Sequence, residues 1–267
     1  MTGEVPTNPP HDLGTIINRA LPHYDALDAL ERRGRLGLMV RELRKRHSSS
    51  VFHRMFPGDG VFRRSLYPKH LELFAAGRDY RERCFMAANR VGKTLAAAYE
   101  VTCHATGLYP AWWPGYRFRR PISAWCSGKT NETTRDIVQK ELFGGVRYSD
   151  GGRRQLEGTG MVPGDLIRVD PGPSWRTGVA DLADTVYVRH VPTSGWSRIG
   201  LKSYQQGRGS FEGTAQDFIW LDEECPQDIY GECLVRTGTT NGRILLTFTP
   251  LLGLTPVVLD FLPREER

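Results

Sequence analysis

The chain has 267 residues, 39% hydrophobic and 25% charged, and a formal net charge of +6. That length fits one large domain, or one domain with an extension, and the composition is that of a globular protein with a real core. No apolar run approaches the ~20 residues of a membrane helix, and the mild basicity permits a nucleic-acid partner without establishing one.

Residues 1–22 are polar and broken by Pro6, Pro9, Pro10 and Pro22, so they read as a flexible lead-in. They lack the apolar stretch of a signal peptide, which makes the cytoplasm the default compartment. Residues 24–47 read as a helix with a basic run at 41–46, either a solvated face or a docking or DNA-touching arm. Residues 1–60 are therefore expected to form a partly helical N-terminal extension, and 61–267 the main domain. After a loop at 48–65, residues 68–77 read as a short helix ending at Gly77. From Arg83 onward strands and helices alternate: strand 84–88, helix 92–106, strand 122–127, helix 131–143. Further strands are expected at 166–169, 185–190, 199–204, 218–221 and 244–249, and the glycine-rich stretch 144–164 reads as an exposed insertion or loop. Alternation of this kind predicts an α/β fold with a mostly parallel central sheet.

The five cysteines form no CxxC pair and no Cys/His cluster with zinc spacing. They read as buried thiols of a reducing compartment.

Three stretches carry chemistry. The first is Ala87-Ala88-Asn89-Arg90-Val91-Gly92-Lys93-Thr94, followed by Leu95, which leaves an apolar strand and opens a helix. A phosphate loop needs this context, because N–H groups at a helix start point at phosphate oxygens and the helix dipole favours their charge. Residues 88–95 would hold the nucleotide, Lys93 would reach the β- and γ-phosphates, and Thr94 would offer its hydroxyl to magnesium. Ala87 stands where such loops carry a glycine, so the entry turn is expected to differ slightly. The second stretch is Phe218-Ile219-Trp220-Leu221-Asp222-Glu223-Glu224, an apolar strand ending in acids at the sheet's C-terminal edge. Asp222 would hold magnesium through its water shell, and Glu223 would orient or deprotonate the attacking water. A strand followed by an acidic helix start is the plainer alternative. The third is Ile244-Leu245-Leu246-Thr247-Phe248-Thr249-Pro250, which could present Thr247 or Thr249 beside the γ-phosphate or could simply be a buried strand end.

Together these stretches resemble the ATPase domain of tailed-bacteriophage large terminase subunits, the motors that package double-stranded DNA into procapsids. Residues 69–74, Trp112-Trp113, 130–136 and 207–214 are similar to one branch of that family. The resemblance implies a RecA-like P-loop NTPase fold of the additional-strand, catalytic-glutamate type, using ATP and Mg2+. It implies that Arg90 senses or stabilises the γ-phosphate, that Thr247 and Thr249 couple hydrolysis to movement, and that Arg208 is the best match to an arginine acting on a neighbouring subunit. The family's adenine-contacting segment falls at Lys69-His70. The implied partners are double-stranded viral DNA, further copies of the chain in a ring, the portal protein and the small terminase subunit, in the cytoplasm of the infected bacterial host and without a membrane. The nuclease domain of full-length terminases is not expected within these residues. Two other readings stay open: a helicase- or recombinase-like P-loop enzyme, and a non-enzymatic DNA-binding protein with a vestigial nucleotide site.

Overall fold

The computed structural model describes residues 28, 31, 33, 34, 36, 37, 50–149 and 151–262. The chain divides into two compact units, Met1–Ser49 and Ser50–Arg267. In the first, residues 31, 33, 34, 36 and 37 are helical and Asp28 is not; the rest of the expected helix 24–47, with its basic run, lies outside the described residues. The boundary falls earlier than the sequence suggested. Phe52 and Phe56, placed by sequence in the extension, are 4% and 3% exposed and join the core of the second unit.

The second unit runs α1 (Val51–Arg54), α2 (Pro68–Asp79), β1 (Glu82–Met86), α3 (Lys93–Thr106) and β2 (Ser123–Gly128). Helix α4 follows in three consecutive pieces, Asn131–Thr133, a π-helical stretch Thr134–Gln139, and Lys140–Phe143. Then come β3 (Val146–Tyr148), β4 (Arg154–Leu156), β5 (Ser174–Trp175), β6 (Ala183–His190), β7 (Gly195–Ser203), β8 (Phe218–Asp222), α5 (Gln227–Gly238), β9 (Arg243–Phe248) and α6 (Pro256–Phe261). The main sheet has the order β1-β9-β8-β2-β7-β6-β5. Strands β1, β9, β8, β2 and β7 pair in parallel, and β6 and β5 continue the sheet antiparallel. The third motif strand, β9, thus lies between the phosphate-loop strand β1 and the acidic strand β8.

Strand residues alternate between two cores, as the two-residue period of a strand requires. Phe218, Trp220 and Leu245 face one core, shared with α2, α3 and α4. Ile219, Leu221, Ile244, Leu246 and Phe248 face the other, shared with α5 and α6. By the same alternation Asp222 lies on the face of Trp220, and Thr247 on the face of Leu245. Helix α3 is alanine-rich, and Ala96, Ala97 and Ala98 are fully buried, which lets it lie close on the sheet. Its buried polar residues are paired: Glu100 meets Arg83 of β1 at 2.7 Å and His104 at 3.1 Å.

Two expected elements differ. Residues 166–169 form no strand; a 3-10 turn Gly164–Leu166 precedes a single bridge from Ile167 to Val188. Ile167 is buried there while Val169 is 71% exposed, so the apolar run does not sustain a ladder. The stretch 144–164 is not simply exposed loop. It holds the two-stranded β3–β4 sheet, and Met161 and Val162 are fully buried.

Candidate active site

The C-terminal ends of β1, β9 and β8 lie side by side at one edge of the sheet, the usual place for ligands in parallel sheets. Between β1 and α3 the phosphate loop is tied to β9 by the Ala87 N–H, which donates to the Phe248 carbonyl at 3.3 Å. Ala87 keeps an ordinary backbone conformation, so alanine carries no strain at that position. The left-handed turns fall instead on Arg90 (φ 64°) and Gly92 (φ 84°). A side chain at Gly92 would be strained and would meet His70 Nε2 at 3.3 Å. Gly92 is also the N-cap of α3 and supplies no side-chain acceptor, so the first-turn N–H groups remain donors for an anion.

Lys93 Nζ donates to the carbonyls of Ala87 (3.0 Å) and Ala88 (2.8 Å) and to Thr249 Oγ1 (2.9 Å). Three oxygens around one ammonium are the kind of partners that phosphate oxygens supply. The Thr249 hydroxyl is also 2.9 Å from the Ala87 carbonyl and 2.8 Å from Asn89 Oδ1, which closes the loop onto β9.

Thr94 Oγ1 donates to Asp222 Oδ1 at 3.3 Å, joining the two motifs across 128 positions of sequence. Thr247 donates to the same oxygen at 2.7 Å and accepts from Trp220 Nε1 at 2.8 Å. Asp222 is 3% exposed. Burial raises its pKa to about 7, against the opposing hydrogen bonds from Thr247 and Thr94, and Glu223 adds to the rise. Two oxygen donors, Thr94 and Asp222, suit a magnesium ion that keeps waters and takes phosphate oxygens as further ligands. Among the described residues no group of three or more His, Cys, Asp or Glu could hold a metal by itself.

Glu223 is exposed and left-handed at φ 66°, with its N–H donating to the Thr247 carbonyl at 2.9 Å. Backbone strain at a non-glycine residue costs ~1–3 kcal/mol and persists where the surroundings enforce it. Tyr204, invisible to the motif reading, helps to enforce it: its hydroxyl lies 2.8 Å from the Asp222 carbonyl and 3.2 Å from that of Glu223.

The structure therefore brings together residues 88–94, Asp222, Thr247 and Thr249, and turns Glu223 outward at the same strand end. It separates others. Thr247 faces Asp222, which leaves Thr249 as the threonine at the loop. The half-buried Leu95 side chain packs against the core. Arg208 is held by Glu232 of α5 at 3.1 Å and by Glu212 at 3.7 Å, which ties it to α5 rather than to the loop of its own chain. Lys69 pairs with Glu72 on the surface. His70 packs against Phe85 and Gly92 beneath the loop, with burial lowering its pKa.

A family model for the N-terminal part of the terminase large subunit, T4-like-virus type, matches residues 84–267. The chain belongs to the terminase large-subunit family. It is 38% identical over 218 residues to the terminase large subunit of Salmonella phage P22, an alignment covering 75% of this chain and 42% of that protein. The chain thus spans less than half the length of that relative. Similar solved structures include a large terminase ATPase domain of Thermus phage P74-26, with 18% identity, TM-score 0.37, and 66% and 62% of the two chains covered. A large terminase of a thermophilic bacteriophage solved with ADP gives 13% identity, TM-score 0.42, and 68% and 37% covered. Within this terminase chain the mostly parallel sheet flanked by helices, with β9 between β1 and β8, is the α/β architecture expected from the sequence.

Proposed function

We propose that this terminase chain hydrolyses ATP and that hydrolysis drives translocation of viral double-stranded DNA into procapsids. The observation that carries the reading is the Thr94–Asp222 contact beside Lys93, with Glu223 at the next position. In this reading Lys93 and the N–H groups of residues 88–94 bind the phosphates. Thr94 and Asp222 hold magnesium, which when bound neutralises charge developing on the phosphates. Glu223 orients and deprotonates the attacking water, and its exposed, left-handed position puts the carboxylate outside the hydrogen-bonded cluster around Asp222. Arg90, exposed on the loop and in no ion pair among the described residues, reaches the γ-phosphate. Thr249 exchanges Lys93 and the loop for phosphate as ATP enters, which couples β9 to nucleotide state. The chain works as a ring on the portal protein with the small terminase subunit, in the cytoplasm of the infected bacterium.

Two substitutions test the assignment. Glu223→Gln removes the base and leaves the phosphate cradle, so ATP binding by calorimetry stays near wild type while turnover falls ~10²–10⁴-fold. Lys93→Ala loses nucleotide binding itself. Wild-type turnover in Glu223→Gln would sink the role of Glu223, and a folded chain with no turnover, with or without DNA, would favour a vestigial site.

A further inference from the structure

The stretch between α4 and β6 plays no part in the nucleotide site, yet it builds a basic groove. The groove, about 520 Å³, lies between the β3–β4 sheet and the β5 end of the main sheet. Arg147, Arg153, Arg154 and Arg168 line it together with Trp175. None of the four arginines forms an ion pair with a described residue. The two carboxylates in the lining are Glu157 and Asp170, so the arginines exceed the acids by 4 − 2 = 2. Glu157 is already engaged by the Gly145 N–H at 3.0 Å and by Thr159 at 3.2 Å.

Two of the guanidinium groups are braced. Arg154 sits over the Trp175 ring at 4.7 Å from its centroid, and Arg168 over Trp196 at 5.3 Å. Arg168 also spends its Nε on the Asp170 carbonyl at 3.1 Å. Contact through the ring face restrains a guanidinium without consuming its terminal N–H donors. Such an arginine loses little freedom on meeting a phosphate. The groove also lies far from the phosphate loop. Six inter-strand steps of about 4.8 Å separate β5 from β1, roughly 29 Å, so a ligand here leaves the nucleotide site open.

We propose that this groove binds the sugar–phosphate backbone of duplex DNA, independently of sequence. The proposal rests on the reading of the chain as a DNA-translocating ATPase and assigns the DNA contact to a specific surface. A duplex presents one phosphate per ~1.7 Å of axis, so four clustered guanidinium groups meet phosphates in any register. Phosphate favours arginine, whose planar fork matches its oxygens. Single strands are favoured by aromatic rings free to stack on bases, and here Trp175 is already covered by Arg154.

The test uses the full chain and a fluorescently labelled 30-base-pair duplex, followed by anisotropy between about 50 and 200 mM salt. Arg147→Ala/Arg168→Ala should weaken binding at least ~10-fold at low salt and reduce the slope of log K against log salt by about 1.8, or ~0.9 per lost phosphate contact. The Lys pair at the same positions should keep most of the slope, because charge alone supplies that part of the binding. ATP affinity should not change in any of these variants. Wild-type affinity and slope in the Ala pair would overturn the proposal, as would no duplex binding by the wild-type chain or tighter binding of a single strand. Unchanged duplex binding with lost self-association in sedimentation would give the groove to an acidic protein surface instead. If turnover is absent but duplex binding depends on these arginines, the ATPase reading fails alone. If turnover is present and the arginines are irrelevant to DNA, this proposal fails alone.

Discussion

Asp222 is an acid whose surroundings oppose its own charge. It is buried, and its pKa is raised from 3.8 to about 7 by that burial, with Glu223 beside it. For an acid raised on folding, the associated stability is fully present below the unfolded value of 3.8 and is lost as pH rises through about 7. The nucleotide-free chain therefore holds a destabilising carboxylate at neutral pH. Asp222→Asn keeps an acceptor for Thr247 and Thr94 without the charge. In thermal melts without nucleotide, the variant should gain on the wild type as pH climbs from about 5 to about 8, and the gain should shrink toward pH 4. Under the proposed function this carboxylate would help to hold magnesium, so the variant should lose turnover. A gain independent of pH would show that the charge is not the cause. Lys93, Thr94, Asp222 and Glu223 were legible in the sequence because each sits in a short motif whose chemistry needs that residue type. Tyr204 was not, and His70 stood out only as part of the adenine-contacting segment that the resemblance implies; their contacts with the acidic turn and with the loop arise only from sheet pairing and helix packing. Ala87 stands where such loops carry a glycine, yet it keeps an ordinary backbone conformation, and the left-handed positions of the loop are Arg90 and Gly92.

At the scale of elements, the phosphate loop is only as well placed as β1 and α3, the strand and helix on either side of it. These are clamped by the buried pair Arg83–Glu100, 3% and 0% exposed. Arg83 also donates to the Leu73 carbonyl of α2 at 2.9 Å, and His104 bridges Glu100 to the Tyr109 hydroxyl. Burial pushes the Glu100 pKa up, but Arg83 and His104 outweigh it and hold the carboxyl at about 2. Removing one partner leaves an unpaired buried charge. Arg83→Ala should cost about 3–5 kcal/mol in urea unfolding, and the Arg83→Met/Glu100→Gln pair should cost less than that single change. A single variant as stable as wild type would show that the clamp contributes nothing. The strands around the site were readable as apolar runs ending in functional residues. The β5 strand and the failed strand at 166–169 were not, since a two-residue pairing leaves no periodic signal and the apolar run 166–169 ends in the solvent-facing Val169. The β3–β4 sheet was hidden for a different reason: its glycine-rich setting resembles a loop, and its buried anchors Met161 and Val162 lie outside its strands.

For the whole molecule, the open question is which arginine completes the site and from which subunit. Arg90 sits in the phosphate loop itself, so under the proposed function it would act on its own chain's nucleotide. Arg208 keeps 57% of its side chain exposed although Glu232 and Glu212 flank it. Those carboxylates hold it at the surface, and in the proposed head-to-tail ring Arg208 would act on a neighbour's nucleotide. Under this arrangement inactive variants should complement each other in one case only. Arg208→Ala mixed with Glu223→Gln places an intact Arg208 beside sites that retain Glu223, and a random 1:1 ring then has about a quarter of its sites complete. Arg90→Ala mixed with Glu223→Gln completes no site by exchange, because Arg90 and Glu223 serve the same nucleotide from one chain. Each variant alone should lose turnover, by up to ~10³-fold or more for an arginine that stabilises the transferring phosphate. ATPase rates of the mixtures, measured at a concentration where the wild-type rate per chain has stopped rising, separate the two roles. Recovery in the first mixture and none in the second is the expected result. If Arg208→Ala alone turns over at the wild-type rate, its bonds to Glu232 and Glu212 are structural and Arg90 is the arginine of the site.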